Sequence, residues 1–156
     1  MNLGIVCELY RLPDFEIEEL KKLKIDDAEE YLDEKFAWVD SEYHKQNDTV
    51  FSMDKGWGIT RFLIQQCDNS PNKILAKLNE RFIKSDDVKL INKELELIGI
   101  EDLKNTYDQE KLIENHVYHA KYEVNWDYIN NWHLKLYKSG FKKASELNNG
   151  IAINYN

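Results

Sequence analysis

Histidines and cysteines have the widest chemical range in this chain, which holds 4 and 2 of them. His116 and His119 are spaced i, i+3, so on a continuing helix they share a face, and Glu114 or Glu123 would complete a zinc-type set of nitrogen and oxygen ligands. They lie near a helix end, where polar loop histidines are common, and the reading is that they bind no metal. His133 is different, because it falls in an apolar helical stripe. There an imidazole must find hydrogen-bond partners or stay neutral. Cys7 and Cys67 lie far apart with no Cys-x-x-Cys spacing, and are expected to be free, buried thiols. Covalent catalysis needs a Ser or Cys supported by a base. The chain has no Gly-x-Ser-x-Gly elbow, and neither "GWG" nor "ELIGIED" matches a phosphate-cradling or dinucleotide loop. The acidic pairs Asp26/Asp27, Glu29/Glu30, Asp33/Glu34 and Asp86/Asp87 are sequence neighbours. Acid/base chemistry needs carboxylates that converge in space from different environments, so these read as solvated helix faces. No cofactor is implied.

Charge and aromatic content bear on partners. Lys and Arg total 21 against 29 Asp and Glu, a net charge of −8, and no basic stripe emerges. A phosphate backbone would be repelled, so nucleic acid is not an expected partner. A basic protein partner is electrostatically permitted, although acidic surfaces also serve solubility alone. The chain carries 4 Trp, 9 Tyr and 6 Phe. Trp126, Tyr128, Trp132 and Tyr137 crowd one helix and its approach, with Trp132 off the stripe centre, beside Lys143 on a helical wheel. Core packing accounts for such a cluster, and so does a contact patch, since exposed tryptophan is a common interface anchor.

The elements that must position these residues follow from periodicity. At 156 residues without repeats or linkers, the chain reads as a single domain, 1–156. "MNLGIVCELYRL" gathers Ile5, Val6, Leu9, Tyr10 and Leu12 into a strand ended by Pro13. Two acidic helices follow, the first placing Phe15, Leu20 and Leu23 near helical spacing, the second Ala28, Tyr31, Leu32 and Phe36. Residues 40–52 read as a polar loop. In "SMDKGWGITRFLIQQ", Asp54 is a candidate N-cap and Lys55 opens a helix buried on two sides, with Ile59, Phe62 and Leu63 on one and Trp57 and Ile64 on the other. Glycine costs a helix roughly 1 kcal/mol against alanine, so Gly56 and Gly58 imply close approach of a backbone or bulky side chain to the turn carrying Trp57. Ser70 then caps a short helix with Pro71 in its first position. A brief β-like run, Arg81 to Ile83, leads to a helix capped by Ser85 and ended at Gly99. Another helix starts from Asp108. The longest helix runs from about Trp126 to Leu147, its stripe formed by Trp126, Ile129, Leu136, Tyr137, Ala144 and Leu147 with His133 and Gly140 in the middle. "IAINY" closes the domain as a strand. No secretory leader or membrane-length apolar run is present, so a cytoplasmic location without membrane contact is the expectation.

Asp54, Lys55, Trp57, Ile59, Phe62, Leu63 and Ile64 resemble the Asp-Lys-x-Trp-x-x-Leu-His-Phe-Leu-Leu signature of the YfbM-like bacterial proteins, domain-of-unknown-function family 1877. Element order is similar too: an N-terminal "MGIVCELYRL"-type strand, "RFIKSDDV" leading through a cap into a helix, Tyr107–Asp108 at a Phe-Asp-like turn, and a long helix before a final strand. The chain departs from that pattern at Arg61, where His is usual, and at His116 and His119, which replace Glu and Pro around Tyr118. The central stretch is shortened to residues 66–80. The resemblance implies an α+β domain with no established activity or cofactor, and some members resemble candidates for immunity proteins in toxin systems.

The fold expected is α+β: a small, mostly antiparallel sheet of N-terminal, central and C-terminal short strands, with helices packed on one face, including a long C-terminal helix. The expected function is a non-catalytic protein-binding domain, an immunity-type inhibitor of a basic bacterial toxin. The alternative is a small-molecule binder or enzyme with a pocket near the Trp57 motif. Asp54, Trp57, Arg61, Tyr118, Trp132 and His133 are the candidate binding residues. Oligomeric state is left open.

Overall fold

The computed structural model describes residues 6–37, 42–54 and 56–155, so the expectations placed on Ile5 and Lys55 lie outside the described residues. Among the described residues four strands form one antiparallel sheet in the order β2-β1-β4-β3. They are β1 (Cys7–Leu12), β2 (Val50–Met53), β3 (Phe82–Ile83) and β4 (Gly150–Tyr155). The first and last strands thus lie side by side at the centre of the sheet, with Leu9 opposite Phe51 on one side and Ile153 on the other.

Alternation along the strands divides the core into two layers, because successive side chains leave opposite faces. Cys7, Leu9, Phe51, Met53, Ile83, Ile151 and Ile153 join the larger core, and Tyr10, Leu12 and Ala152 the smaller. The smaller is covered by α1 (Asp14–Lys21) and α2 (Ile25–Lys35) through Ile17, Leu20, Ala28 and Leu32, with Phe36 just beyond α2. Helices therefore cover both faces of the sheet, not one. Phe15 of α1, Tyr31 of α2 and Leu23 in the turn between them are exposed, and Ile17 takes the inward place expected of Phe15.

Over the larger face lie α4 (Trp57–Gln66), α5 (Ser85–Leu95), α6 (Ile100–Thr106), α7 (Gln109–Glu114) and the long C-terminal helix. That last helix is α8 (Trp126–Tyr128), a π-helical segment Ile129–Leu134, and α9 (Lys135–Glu146). Gly140 lets it lie close on the sheet: a Cβ there would stand 3.3 Å from both Leu9 and Phe51 side-chain carbons. Asn148, in the left-handed conformation at φ 55°, ends it and turns the chain into β4. Ile129, Tyr137 and Ala144 of the expected stripe are buried, Leu136 is half-buried and Leu147 is exposed.

Four local expectations are corrected. Residues 40–52 hold α3 (Glu42–Asn47) and β2, so the stretch is not simply a loop. Ser70 and Pro71 do not start a helix. Asp68, a buried carboxylate, accepts from Ser70 N at 2.8 Å and Leu75 N at 2.8 Å, folding a turn through Lys73 (φ 51°) into a 3₁₀ helix, Ile74–Asn79. Ser85 is the first residue of α5, not its cap, and donates its backbone N–H to Asp14 Oδ1 at 2.8 Å. Gly99 begins α6, where its N–H is accepted by Asp102 Oδ2 at 2.8 Å, instead of ending α5.

Candidate functional site

The site is built where β2 hands over to α4. Gly56 occupies the capping position of α4 at φ −81°, and Trp57 N donates to the Asp54 carbonyl oxygen at 3.2 Å. The carboxylate of Asp54 was expected to cap that first turn. It takes the Gly56 backbone N–H there, and its side-chain partners come from the long helix: the Tyr128 hydroxyl donates to Oδ2, and His133 Nε2–H donates to Oδ1 at 3.1 Å. Because Nε2 carries the proton, Nδ1 is the acceptor of a hydrogen bond that the Thr60 hydroxyl donates at 3.2 Å. The result is a hydroxyl–imidazole–carboxylate series linking α4, the π-helical segment and the end of β2.

Glycine makes this approach feasible. A Cβ at Gly56 would stand 2.5 Å from His133 Cε1, and one at Gly58 would stand 3.2 Å from Tyr118 Cβ. Both glycines admit a bulky neighbour to the turn bearing Trp57, as the sequence implied. Trp57 is only 7% exposed. The Arg61 guanidinium lies over its ring at 4.9 Å from the centroid, and Tyr118 stacks against it with centroids 6.0 Å apart. The candidate residues therefore form two groups about the start of α4: Asp54, Trp132 and His133 in one, Trp57, Arg61 and Tyr118 in the other.

Burial sets the ionisation states. Desolvation lowers the His133 pKa below the ordinary 6.5 despite the opposing pull of Asp54, so near neutrality the imidazole is uncharged and gives Asp54 a hydrogen bond. Desolvation by itself would raise Asp54, but the hydrogen bonds from Tyr128 and His133, with the Gly56 backbone N–H, outweigh it and hold the carboxyl below its usual range. Burial and the Asp54 hydrogen bond push the Tyr128 hydroxyl up, so it stays a donor. Cys7, pushed up to about 12 by burial, is an unreactive thiol.

In order, Thr60, His133 and Asp54 stand as nucleophile, base and orienting acid. Thr60 and His133 are both 0% exposed, so no substrate carbonyl can reach the hydroxyl. The array fastens two helices together. What meets water is its outer rim. The Asp54 side chain is 41% exposed and Trp132 is 40% exposed. Trp132 is fixed in place, its Nε1–H donating to Ser52 O at 3.1 Å and its ring meeting Tyr128 edge-on at 5.1 Å. The wider π turn lets adjacent residues 132 and 133 both address the Ser52–Asp54 segment.

The other concavities lie elsewhere. An open groove of about 520 Å³ runs past Tyr118, His119 and Tyr122, with His119 in ring contact with both tyrosines. His116 (φ 55°) and His119 (φ 66°) sit in left-handed turns beyond the end of α7, so they do not share a helix face. Among the described residues no group of three or more His, Cys, Asp or Glu is placed to hold a metal. Thr60, Tyr128 and Ser52 were not among the sequence candidates. Tyr128 could have been found, one turn before Trp132 on a helix already dense in aromatics; Thr60 and the Ser52 carbonyl carry no sequence signal of their own.

Comparison with known proteins places the chain by family and fold. The family model described as a domain of unknown function (DUF1877) matches residues 3–153. The crystal structure of YfbM from Escherichia coli, a protein of unknown function, is similar over 96% of this chain and 98% of that one, with a TM-score of 0.60 and 13% sequence identity. At that identity the likeness is one of fold. No curated protein matches.

Proposed function

Because the chain belongs to the DUF1877 family of domains of unknown function, its role has to be read from its own surface, and we propose that it is a non-catalytic protein-binding domain for a basic partner. The observation that carries the proposal is the rim: an ionised, half-exposed carboxylate beside a half-exposed indole, each tethered by hydrogen bonds to the body of the fold. Preorganised aromatic anchors lose little rotamer entropy on binding, and a fixed carboxylate steers a cationic partner. The net charge of −8 adds to that steering at long range. Sealing of Thr60 and His133 argues against catalysis through them. The narrower reading is an immunity-type inhibitor acting in the cytoplasm on a basic bacterial toxin.

Affinity capture from the native host, with wild type, Trp132→Ala and Asp54→Asn as parallel baits, tests this. A basic protein held by wild type, released by salt and lost from both variants supports the proposal. An identical set of proteins on all three baits refutes it. The inhibitor reading further requires that this partner be toxic when expressed alone and that co-expression of wild type, not Trp132→Ala, restore growth.

The groove beside Tyr118 favours a second reading, small-molecule binding. The Trp57 ring itself is closed off, so a ligand would have to use the Tyr118–His119–Tyr122 side. A metabolite-induced rise in melting temperature that disappears in Tyr122→Ala would support it, and its persistence in that variant would count against it.

A further inference from the structure

Resting on the protein-binding reading, we infer that the rim formed by Asp54 and Trp132 receives an arginine side chain of the partner, in preference to lysine. The Asp54 carboxylate already accepts three donors from the fold, His133 Nε2–H at Oδ1, the Tyr128 hydroxyl at Oδ2 and the Gly56 backbone N–H. Its two oxygens offer about four lone-pair sites, so one acceptor remains, and the side chain's 41% exposure opens its charge to solvent. A guanidinium can give one N–H to that acceptor while its plane lies on a neighbouring ring, whereas an ammonium engages as a point charge with no plane to stack. The inward bonds also stop the carboxylate from rotating away from that geometry.

Trp132 supplies the second half of the recognition. Its Nε1–H is engaged by Ser52 O and its ring is held against Tyr128, so the part left open is a fixed apolar, electron-rich surface. Guanidinium is planar, weakly hydrated and stacks on indole, the pairing that Arg61 and Trp57 make inside this fold at 4.9 Å. The ion pair that Asp54 makes among the described residues is with His133, which is neutral near pH 7, so that pair leaves the carboxylate's charge available. Asp54 thus offers charge and one open acceptor, and Trp132 a stacking platform.

The test titrates the full chain, labelled with nitrogen-15, with N-acetylarginine methylamide, the corresponding lysine derivative and the neutral isostere N-acetylcitrulline methylamide. The Trp132 indole N–H signal, assigned from Trp132→Phe, is followed. A saturable shift with the arginine probe, at least about threefold weaker with lysine and roughly tenfold weaker with citrulline, is expected from loss of the stacking plane and of the charge respectively. Asp54→Asn should reduce the arginine response to the citrulline level. Equal responses to arginine and citrulline, equal responses to arginine and lysine, or no saturable shift at Trp132 overturn the inference, and these comparisons need only wild-type protein. A salt-sensitive partner lost from Trp132→Ala bait, together with lysine binding as well as arginine, would leave the protein-binding reading standing and remove this one. Loss of both results removes both.

Discussion

Gly56→Ala isolates the contact on which the site's geometry depends. The new Cβ would meet His133 Cε1 at 2.5 Å and Nδ1 at 3.2 Å, against an ordinary van der Waals contact of 3.4–4 Å. The imidazole has to retreat by roughly an ångström. Its bonds to Thr60 and Asp54 are already 3.2 and 3.1 Å long and cannot stretch that far. Backbone strain contributes nothing, because alanine adopts φ −81°, ψ 0° freely. Nor does alanine stabilise a capping position, where it ranks below glycine. Losing one neutral hydrogen bond and one to a charged group inside a water-excluded site costs about 2–4 kcal/mol. For a domain of this length that lowers Tm by roughly 5–15 °C. Urea unfolding of wild type, Gly56→Ala, His133→Ala and the double variant measures it as a cycle. With the imidazole gone the clash goes too, so the glycine-to-alanine change should cost far less in the His133→Ala background, leaving only the lower rank of alanine at a capping position. A Gly56→Ala cost below about 0.5 kcal/mol, or full additivity of the two changes, would refute the reasoning.

Acid should destabilise the protein through His133. Its folded pKa lies below the ordinary 6.5, so below that pH the unfolded chain takes a proton that the buried imidazole refuses, and stability falls until the folded pKa is passed. His133→Asn should flatten that part of the stability–pH curve; a curve unchanged by the substitution would count against a neutral buried imidazole. Asp54 acts lower, its contribution present above the ordinary 3.8 and lost as pH falls through its depressed folded value, and its partial exposure keeps the effect small. Asp68→Ala strands the N–H groups of Ser70 and Leu75, both held at 2.8 Å, and should cost about 3 kcal/mol in urea unfolding. Gly150→Ala sets a Cβ 2.5 Å from the Ile83 carbonyl oxygen, a backbone atom that cannot swing aside, and should part β3 from β4 with a cost of about 3 kcal/mol, visible as lost amide protection at Ile151.

How far these features were legible in the sequence depended on whether their cause was local. Gly56 and Gly58 beside Trp57 announced a close approach because glycine in a first helical turn is otherwise a loss, and the neighbours turned out to be His133 and Tyr118. His133 announced itself by breaking an apolar stripe. The local reading of Asp54 reached only the first turn of α4: capping preference is a local rule, and its side-chain partners lie 74 and 79 positions away. Ser85 misled for the same reason, its turn being anchored by Asp14 from 71 positions upstream. The strand β2 hid in a polar stretch because only Val50, Phe51 and Met53 mark it, and it needs β1 alongside to exist at all. Two-sided burial of the sheet was concealed by the sparse apolar content of α1 and α2, whose few inward residues, Ile17, Leu20, Ala28 and Leu32, suffice against Tyr10 and Leu12. The π-helical segment shifts the phase of an ideal 3.6-residue wheel, so Trp132 could be placed near the edge of the stripe but not against Ser52.

The most direct measurement of the central claim compares wild type with Trp132→Ala. Removing an indole that is only 40% exposed, with its hydrogen bond to Ser52 O, should cost about 2–4 kcal/mol, so capture is compared at a temperature where circular dichroism shows both proteins folded, and any change in binding is then a surface effect. Quantitative capture at low and high salt should show a cationic protein on wild type that falls away with salt and is absent from the variant. Retention of that protein by Trp132→Ala at wild-type levels would contradict the account.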